Sequence, residues 1–148
     1  MTAPESVRLL AGVEVDRWDA VREEARAIRY DVFVIEQGVP VELEWDEWDD
    51  QCWHALARDT AGRAVATGRL LPDGHIGRMA VRQEARGTGV GARVLDALID
   101  KARELGYPEL VLNSQTHAMP FYARAGFTPE GDEYEEAGIP HRTMRRVL

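Results

Sequence analysis

Apolar residues recur at helical spacing in two parts of the chain. The first stripe has spacings of four, three, four and three residues and consists of Val21, Ala25, Ile28, Val32 and Ile35. Asp16 is its predicted N-cap, and Gly38 and Pro40 end it. The second stripe ends before Gly106 and Pro108 and consists of Val90, Val94, Leu98, Ala102 and Leu105. This pattern predicts two amphipathic helices.

Runs of apolar and β-branched residues predict the strands. Residues 52–58 and 64–71 form a predicted hairpin, because the residues between them have the composition of a turn. Further strands are predicted over residues 7–10, 75–81 and 109–113, from Phe127 onward, and over residues 139–147. A short helix is predicted over residues 118–125, with Gly126 as its C′ residue. This order of elements predicts an α/β or α+β domain with a mixed sheet of six or seven strands.

Length and composition narrow the class of protein. The chain has 148 residues, 45% of them apolar and 30% charged, which predicts one domain over residues 1–148. The net charge of -8 argues against a nucleic-acid partner. The single cysteine, Cys52, cannot form an internal disulfide, and no apolar run reaches the ~18 residues of a membrane span. Residues 1–8 lack the apolar core of a secretory signal, so we expect a cytoplasmic protein without membrane contact.

The most informative segment is residues 86–91, Arg-Gly-Thr-Gly-Val-Gly, between a predicted strand and the second helix. Glycines let the backbone approach a ligand, and a helix N-terminus offers free N–H groups and the positive end of the helix dipole. Four arginines against one acid give residues 78–93 a charge of +3 in a chain of -8. These features predict a cradle for a phosphate anion. The alternative is a tight strand-to-helix turn that needs its glycines for geometry alone.

Spacing limits which phosphate ligand this loop could take. A Walker loop ends in Gly-Lys-Ser or Gly-Lys-Thr, whereas Gly91 is followed by Ala92 and Arg93, which disfavours nucleoside triphosphates. Gly87, Gly89 and Ala92 match the degenerate form of the dinucleotide-binding pattern, Gly-x-Gly-x-x-Gly/Ala. In that fold, however, the first glycine lies at the end of the strand, and here it does not.

Three pieces of sequence together resemble one family. Residues 86–91 contain Arg-x-x-Gly-x-Gly after a strand that ends in Arg-Met-Ala-Val at residues 78–81. Asn113 lies on the next predicted strand, and residues 121–127 read Phe-Tyr-x-x-x-Gly-Phe. These pieces, and the order of elements over residues 5–148, resemble the GNAT superfamily of acyl-CoA-dependent N-acyltransferases. Residues 28–37 and the Gly-Ile-Pro-His at 138–141 are similar to its ElaA-like subgroup.

The resemblance implies a fold and a cofactor. The fold is a mixed, mostly antiparallel sheet of six to seven strands, flanked by helices and splayed centrally, between strand 75–81 and the strand of Asn113. The cofactor is acetyl-CoA, with its pyrophosphate on the glycine-loop N–H groups and its pantetheine arm paired to the preceding strand. The implied cofactor-binding residues are Met79, Ala80, Val81, Arg86, Gly87, Thr88, Gly89, Val90, Gly91, Ala92, Asn113 and Tyr122. A homodimer is implied at family level only.

Direct attack of an amine on a thioester needs a neutral amine, a polarised carbonyl and a proton for the leaving thiolate. By resemblance and by chemistry, Tyr122 supplies that proton. A phenol with a pKa of ~10 stays protonated at neutral pH and can donate to a thiolate, whose reference pKa is ~8.5. The alternative is a tyrosine packed on the core with its hydroxyl in solvent. Phe121 already fits the buried position of this helix, which favours the catalytic interpretation.

The general base is less well defined, because residues 75–78 lack the glutamate that many family members carry there. The candidates are His141, His117, His54 and Glu36. His141 is taken as the catalytic base, and a structural hydrogen-bonding role is the alternative for each histidine. Cys52 and His54 face the same side of a predicted strand, but two candidate ligands are too few, and no metal site is predicted.

Residues 42–50 contain six acids with Trp45 and Trp48 between them. The segment is too charged for a core element and is predicted to be an exposed loop. It could attract a cationic amine that packs against a tryptophan, or it could be an ordinary solvated loop.

The sequence therefore predicts an N-acetyltransferase. It would move an acetyl group from acetyl-CoA to a primary amine of a small molecule or peptide, by direct attack in a ternary complex. The alternative is a non-catalytic acyl-CoA-binding regulatory module. Tyr122 favours the enzyme, and the missing strand glutamate keeps the alternative open.

Overall fold

The computed structural model describes residues 12–148, so the strand predicted over residues 7–10 lies outside the described residues. The strands are β1 (Glu14–Arg17), β2 (Trp53–Arg58), β3 (Ala64–Leu70), β4 (His75–Val81), β5 (Glu109–Gln115), β6 (Thr128–Glu136) and β7 (Ile139–Val147). The helices are α1 (Trp18–Arg29), α2 (Val41–Glu44), α3 (Val90–Glu104) and α4 (Met119–Arg124). Short 3-10 turns lie at Glu47–Gln51, Gln83–Ala85 and Thr116–Ala118.

The seven strands form one sheet in the order β1-β2-β3-β4-β5-β7-β6. Every neighbouring pair is antiparallel except β4 and β5, which run parallel. The predicted mixed, mostly antiparallel sheet is therefore confirmed. None of the helices within residues 12–148 combines the length and the apolar content needed to cross a membrane.

Helix α1 shows where the predicted apolar stripe stops being regular. The predicted N-cap was wrong: Asp16 belongs to β1, its carboxylate accepts the N–H of Arg17 at 2.7 Å, and Arg17 is the N-cap residue. Ile35 is 64% exposed, although the rest of the stripe is buried. The reason is that the chain continues after α1 as a π-helix, Tyr30–Glu36, whose wider turns move Ile35 off the buried face.

The sheet packs helices on both faces. Successive side chains of a strand point to opposite faces, so Ala55 and Ala57 of β2 belong to the core under α3, and Leu56 belongs to the core under α1. Helix α3 buries its apolar face on the central strands through Val90, Val94, Leu95, Leu98, Ile99 and Ala102. This packing fixes the start of α3, and with it the glycine loop, against the end of β4.

The central splay lies between β4 and β5. Within the described chain the two strands pair only at His75 with Val111 and at Ile76 with Leu112. Beyond Ile76, β4 keeps β3 as its neighbour on one side, with an irregular register opposite Gly68. On its other side, β5 pairs along its full length with β7.

Candidate functional site

A cavity of about 870 Å³ opens where β4 and β5 diverge. Its walls come from the π-helix, β4, the end of β5, helix α4 and the hairpin of β6 and β7. Residues around it include Glu36, Leu43, Glu44, Trp48, Arg69, Arg78, Met79, Ala80, Val81, Arg86, Asn113, His117, Tyr122, Glu136 and His141. Most of the side chains predicted from sequence to act together therefore line one cavity.

The glycine loop continues from Arg86 at the edge of this cavity. Gly87 and Gly89 have φ values of 79° and 84°, in the left-handed region that favours glycine. Residues 86–89 are exposed, and Gly89 is the N-cap of α3 without a side-chain cap. The first N–H groups of a helix have no partner within that helix, so the loop offers accessible donors at the positive end of a dipole.

Charged side chains tie the π-helix to residues 82–86, which join β4 to the glycines of the loop. Arg86 donates to the Val81 carbonyl at 3.1 Å and pairs with Glu36 at 2.8 Å. Arg82 forms an ion pair with Asp31. Glu36 was a candidate base, and although it lines the cavity, its carboxylate is engaged by Arg86.

Tyr122 is placed by α4, beside the splay. Its ring packs edge-on to Phe121 at 5.0 Å between centroids and to Phe127 at 6.2 Å. Burial raises the pKa of the Tyr122 phenol to about 12, because the phenolate would lose its hydration. The hydroxyl therefore remains a proton donor throughout the neutral range.

His141 lies on β7, opposite Gln115 of β5. Its side chain is 9% exposed, and the ring stacks on Tyr134 at 5.9 Å between ring centroids. Nδ1 lies 2.7 Å from the Ile139 carbonyl oxygen, and Nε2 lies 3.7 Å from a Glu136 carboxylate oxygen. The ring is therefore held by one nitrogen, which leaves the other for proton transfer.

The other two histidine candidates lie in different surroundings. His117 lines the cavity but is exposed. His54 is buried, outside the cavity lining, with Nε2 at 2.9 Å from the Asp49 carbonyl and its ring against Trp18. Burial lowers the pKa of His54, which keeps the ring neutral. The structure thus separates His54 from the candidate site.

Cys52 and His54 do not form the start of a metal site. The Cys52 thiol is buried and donates to the Trp48 carbonyl at 3.2 Å. Among residues 12–148, no group of three or more histidine, cysteine or acidic side chains is arranged to hold a metal ion. Desolvation raises the pKa of the Cys52 thiol to about 11.

The prediction that residues 42–50 form an exposed loop was wrong for two of its acids. Glu44 and Asp49 are 2% and 6% exposed. Arg29 Nε donates to Glu44 at 2.5 Å, and both Arg29 and Arg69 donate to Asp49 Oδ1 at 2.9 Å. Glu44 and Asp49 are buried because arginines from α1 and β3 neutralise their charges. An arginine within the apolar stretch 64–71 was the available sequence signal for this cluster.

The two tryptophans of this segment have different neighbours. Trp45 stacks under the Arg26 guanidinium at 4.1 Å, whereas Trp48 lines the cavity. Of the two tryptophans, only Trp48 is therefore placed to contact a molecule in the cavity.

Asn113 also lines the cavity, and its side-chain oxygen accepts a hydrogen bond from the Thr143 hydroxyl at 2.9 Å.

Comparison with known proteins agrees with this geometry. The family model of the acetyltransferase (GNAT) domain matches residues 20–148. The uncharacterized N-acetyltransferase YjcF of Bacillus subtilis is 36% identical over 128 residues, which cover 84% of this chain and 91% of that protein. The UPF0039 protein sll0451 of Synechocystis is 38% identical over 128 residues, which cover 82% of each chain.

Solved structures show the same similarity. The crystal structure of an acyl-CoA N-acyltransferase from Pseudomonas aeruginosa has a TM-score of 0.81 and 29% identity, over 94% of this chain and 99% of that one. Escherichia coli ElaA has a TM-score of 0.80 and 27% identity, over 93% and 99% of the two chains. The match over residues 20–148 shows that the chain belongs to the GNAT acetyltransferase family, as its sequence predicted.

Proposed function

We propose that this protein transfers an acetyl group from acetyl-CoA to a primary amine by direct attack in a ternary complex. One observation carries the proposal. Arg86, the first residue of the exposed glycine loop before α3, lines a cavity that opens at the splay of β4 and β5, and Tyr122 and His141 line that same cavity.

The residues of the loop and of β4 fit acetyl-CoA. The N–H groups of residues 87–91, with Arg86 and Ala92 beside them, would hold the pyrophosphate at the helix N-terminus. Met79, Ala80 and Val81 lie where β4 has no β5 partner within the described chain, so their backbone groups could pair with the pantetheine arm. Asn113 and Tyr122 would contact the thioester end from the other side of the splay.

Bound acetyl-CoA supplies an acetyl thioester, whose C–S bond breaks as the amine nitrogen forms the new C–N bond. Nε2 of His141 accepts the proton that the amine loses, directly or through water. The Tyr122 hydroxyl donates a proton to the departing sulfur, and the resulting phenolate regains a proton from solvent as His141 releases the one that it accepted. The raised pKa of Tyr122, to about 12, ensures that the donated proton is present at neutral pH.

The exposed acids of the segment that contributes Trp48 to the cavity support a cationic acceptor. Glu44 and Asp49 are neutralised by buried arginines, which leaves Glu42, Glu47 and Asp50 exposed on the same segment. These carboxylates would attract a cationic amine toward Trp48. Raising the salt concentration from low to physiological should then lower kcat/KM for the amine, and this loss should disappear when the three acids are replaced by amides. A salt-independent kcat/KM would exclude electrostatic capture.

Calorimetric titration tests the cofactor. We expect acetyl-CoA to bind, and NADH and ATP not to bind. Gly89→Ala should weaken acetyl-CoA binding, because alanine disfavours the φ of 84° and disturbs the cradle. Gly106→Ala is the matched control, since Gly106 has a φ of 79° and follows the other end of α3. Equal losses in the two variants would argue against the cradle.

Thiol release from acetyl-CoA tests the reaction. The acceptor panel is ethylamine, tryptamine, spermidine and a lysine-containing peptide, and we expect release above the hydrolysis rate with at least one of them. Tight acetyl-CoA binding with no amine-dependent release would instead favour a non-catalytic acyl-CoA-binding module. The absence of a carboxylate at residues 75–78 of β4 is the observation that keeps this second function in view.

A further inference from the structure

Arg78 has a backbone conformation that is unfavourable for its residue type. Its φ is 51°, in the left-handed region, and it lies in β4 where the register with β3 is irregular opposite Gly68. Glycine or asparagine would adopt this conformation at lower cost. A strained non-glycine residue persists where the surrounding structure compensates for it, so the Arg78 side chain is expected to make contacts that matter.

The guanidinium of Arg78 reaches across the cavity edge to the acidic segment, residues 41–51. Nε donates to the Glu44 carbonyl at 3.2 Å, and Nη2 donates to the Leu43 carbonyl at 3.4 Å and to the Asp46 carboxylate at 3.3 Å. Nε also lies 3.6 Å from the Glu44 carboxylate. The Leu43 and Glu44 carbonyls lie in the last turn of α2, where the helix has no N–H group left to donate to them.

The acidic segment depends on such contacts for its position. Helix α2 has only four residues, too few to be stable alone. Arg29 donates a hydrogen bond to the Glu44 carboxylate, and Arg69 donates two hydrogen bonds of 2.7 and 2.8 Å to the Asp46 carboxylate. Of these three arginines, Arg78 is the most exposed, with 28% of its side chain accessible. It is also the one of the three that lies on β4 and so connects the acidic segment to that strand.

The acidic segment contributes Leu43, Glu44 and Trp48 to the cavity lining, and Glu44 is buried and paired with Arg29. Leu43 and Trp48 both line the cavity and are 58% and 46% exposed. The glycine loop follows the carboxyl end of β4, so a cofactor that extends from it along Val81 and Met79 would point its acyl end toward Arg78. Leu43 and Trp48 line the same cavity and would then be available to contact an acceptor.

We propose that Arg78 is a positioning residue that holds the acidic segment against β4, and that Leu43 and Trp48 thereby form a contact surface for an amine with an apolar or aromatic body. This proposal rests on the proposed function and extends it to the class of acceptor. Arg78 also precedes Met79, so one residue links the strand that would hold the cofactor to the wall that would hold the acceptor.

Arg78→Gly is the appropriate test, because glycine relieves the backbone strain while it removes the guanidinium. Hydrogen exchange of peptides from residues 41–51 should accelerate about tenfold, as expected for the loss of hydrogen bonds from a charged group. Arg63→Ala, which removes an exposed ion pair with Glu84, should leave that exchange unchanged. Unchanged exchange in Arg78→Gly would overturn the proposal without bearing on acetyl transfer.

Kinetics with two amines test the functional part. For tryptamine, Arg78→Gly should raise KM about tenfold and change kcat less than about threefold, while acetyl-CoA affinity stays within about twofold. Ethylamine, which lacks an apolar body, should show little change in KM. Arg78→Lys, which keeps the charge, should recover part of the tryptamine effect. Equal changes for both amines, or a loss confined to acetyl-CoA binding, would overturn the proposal.

If the unsubstituted protein acetylates neither amine, the choice of acceptor class fails, and hydrogen exchange still decides whether Arg78 positions the segment.

Discussion

His141 Nδ1 lies 2.7 Å from the carbonyl oxygen of Ile139, two residues earlier on the same strand. A carbonyl can only accept a hydrogen bond, so Nδ1 must carry the proton. In the neutral ring, Nε2 is then the nitrogen with a free lone pair. The backbone of β7 thus selects the tautomer that can accept a proton at the cavity.

His141→Asn should therefore lower kcat by a factor of about 10² to 10⁴, the usual contribution of a general base. Acetyl-CoA affinity should be retained. His117→Asn is the matched control, because His117 lines the same cavity but is exposed. Steady-state rates of thiol release would check both variants. A larger loss in the His117 variant would transfer the role of base to that residue.

Tyr122→Phe should reduce kcat by about 10²-fold or more with little change in acetyl-CoA affinity, since only the proton donor is lost. The pKa of Tyr122 is raised to about 12, so its ionisation should add no alkaline limb to the pH profile below about pH 11. Rate measurements from neutral to alkaline pH would check this. An alkaline limb near pH 10 that disappears in the phenylalanine variant would contradict the burial of the hydroxyl.

Asp49→Asn should lower the free energy of unfolding by about 3 kcal/mol, because it leaves two buried arginines with one charged partner fewer. Asp50→Asn changes the neighbouring exposed acid and should have an effect within about 0.5 kcal/mol. Denaturant unfolding of both variants measures the difference. Similar midpoints would mean that the acidic segment is solvated, as its composition alone suggested.

Gly68→Ala should destabilise the fold by about 1–3 kcal/mol. The added Cβ would lie 2.4 Å from Met79 Sδ and 3.0 Å from Leu98 Cδ1, so both side chains must move. Displacement of Met79 should also weaken acetyl-CoA binding. The control is Gly77→Ala, since a Cβ there meets nothing within 4 Å. Thermal unfolding and calorimetry would measure the two effects, and equal stability of the two variants would argue against close packing at Gly68.

Cys52 should react slowly in the native protein. Its pKa is raised to about 11, so at about pH 8.5 the native thiol should be labelled by a disulfide reagent about 100-fold more slowly than the denatured chain. The unfolded thiol ionises first as the pH rises. The raised pKa of Cys52 therefore contributes fully to the free energy of unfolding below about pH 8.5, and this contribution is lost as the pH approaches about 11. Rapid native labelling at about pH 8.5 would show that Cys52 is accessible.

Local sequence was sufficient for the elements whose pattern is complete within a few residues. The stripe from Val90 to Leu105 corresponds to α3, and the turn composition between residues 58 and 64 corresponds to the β2–β3 connection. The glycine loop could be located because its geometry depends on its own residues and on the helix that follows. The same reasoning misplaced the start of α1 and missed its π-helical continuation, since neither has a distinct local pattern.

By itself, then, the sequence determined the sheet-and-helix class and the family resemblance, because these follow from periodicity and from contiguous motifs, and it predicts an anion cradle at the glycine loop. Only the tertiary structure decided which charges are buried and which of the candidate histidines line the cavity. Asp49 is buried by arginines 20 residues away on either side, and His141 reaches the cavity through the register of β7 on β5. Both outcomes depend on contacts between residues far apart in the chain, whose free energy of burial no local pattern contains.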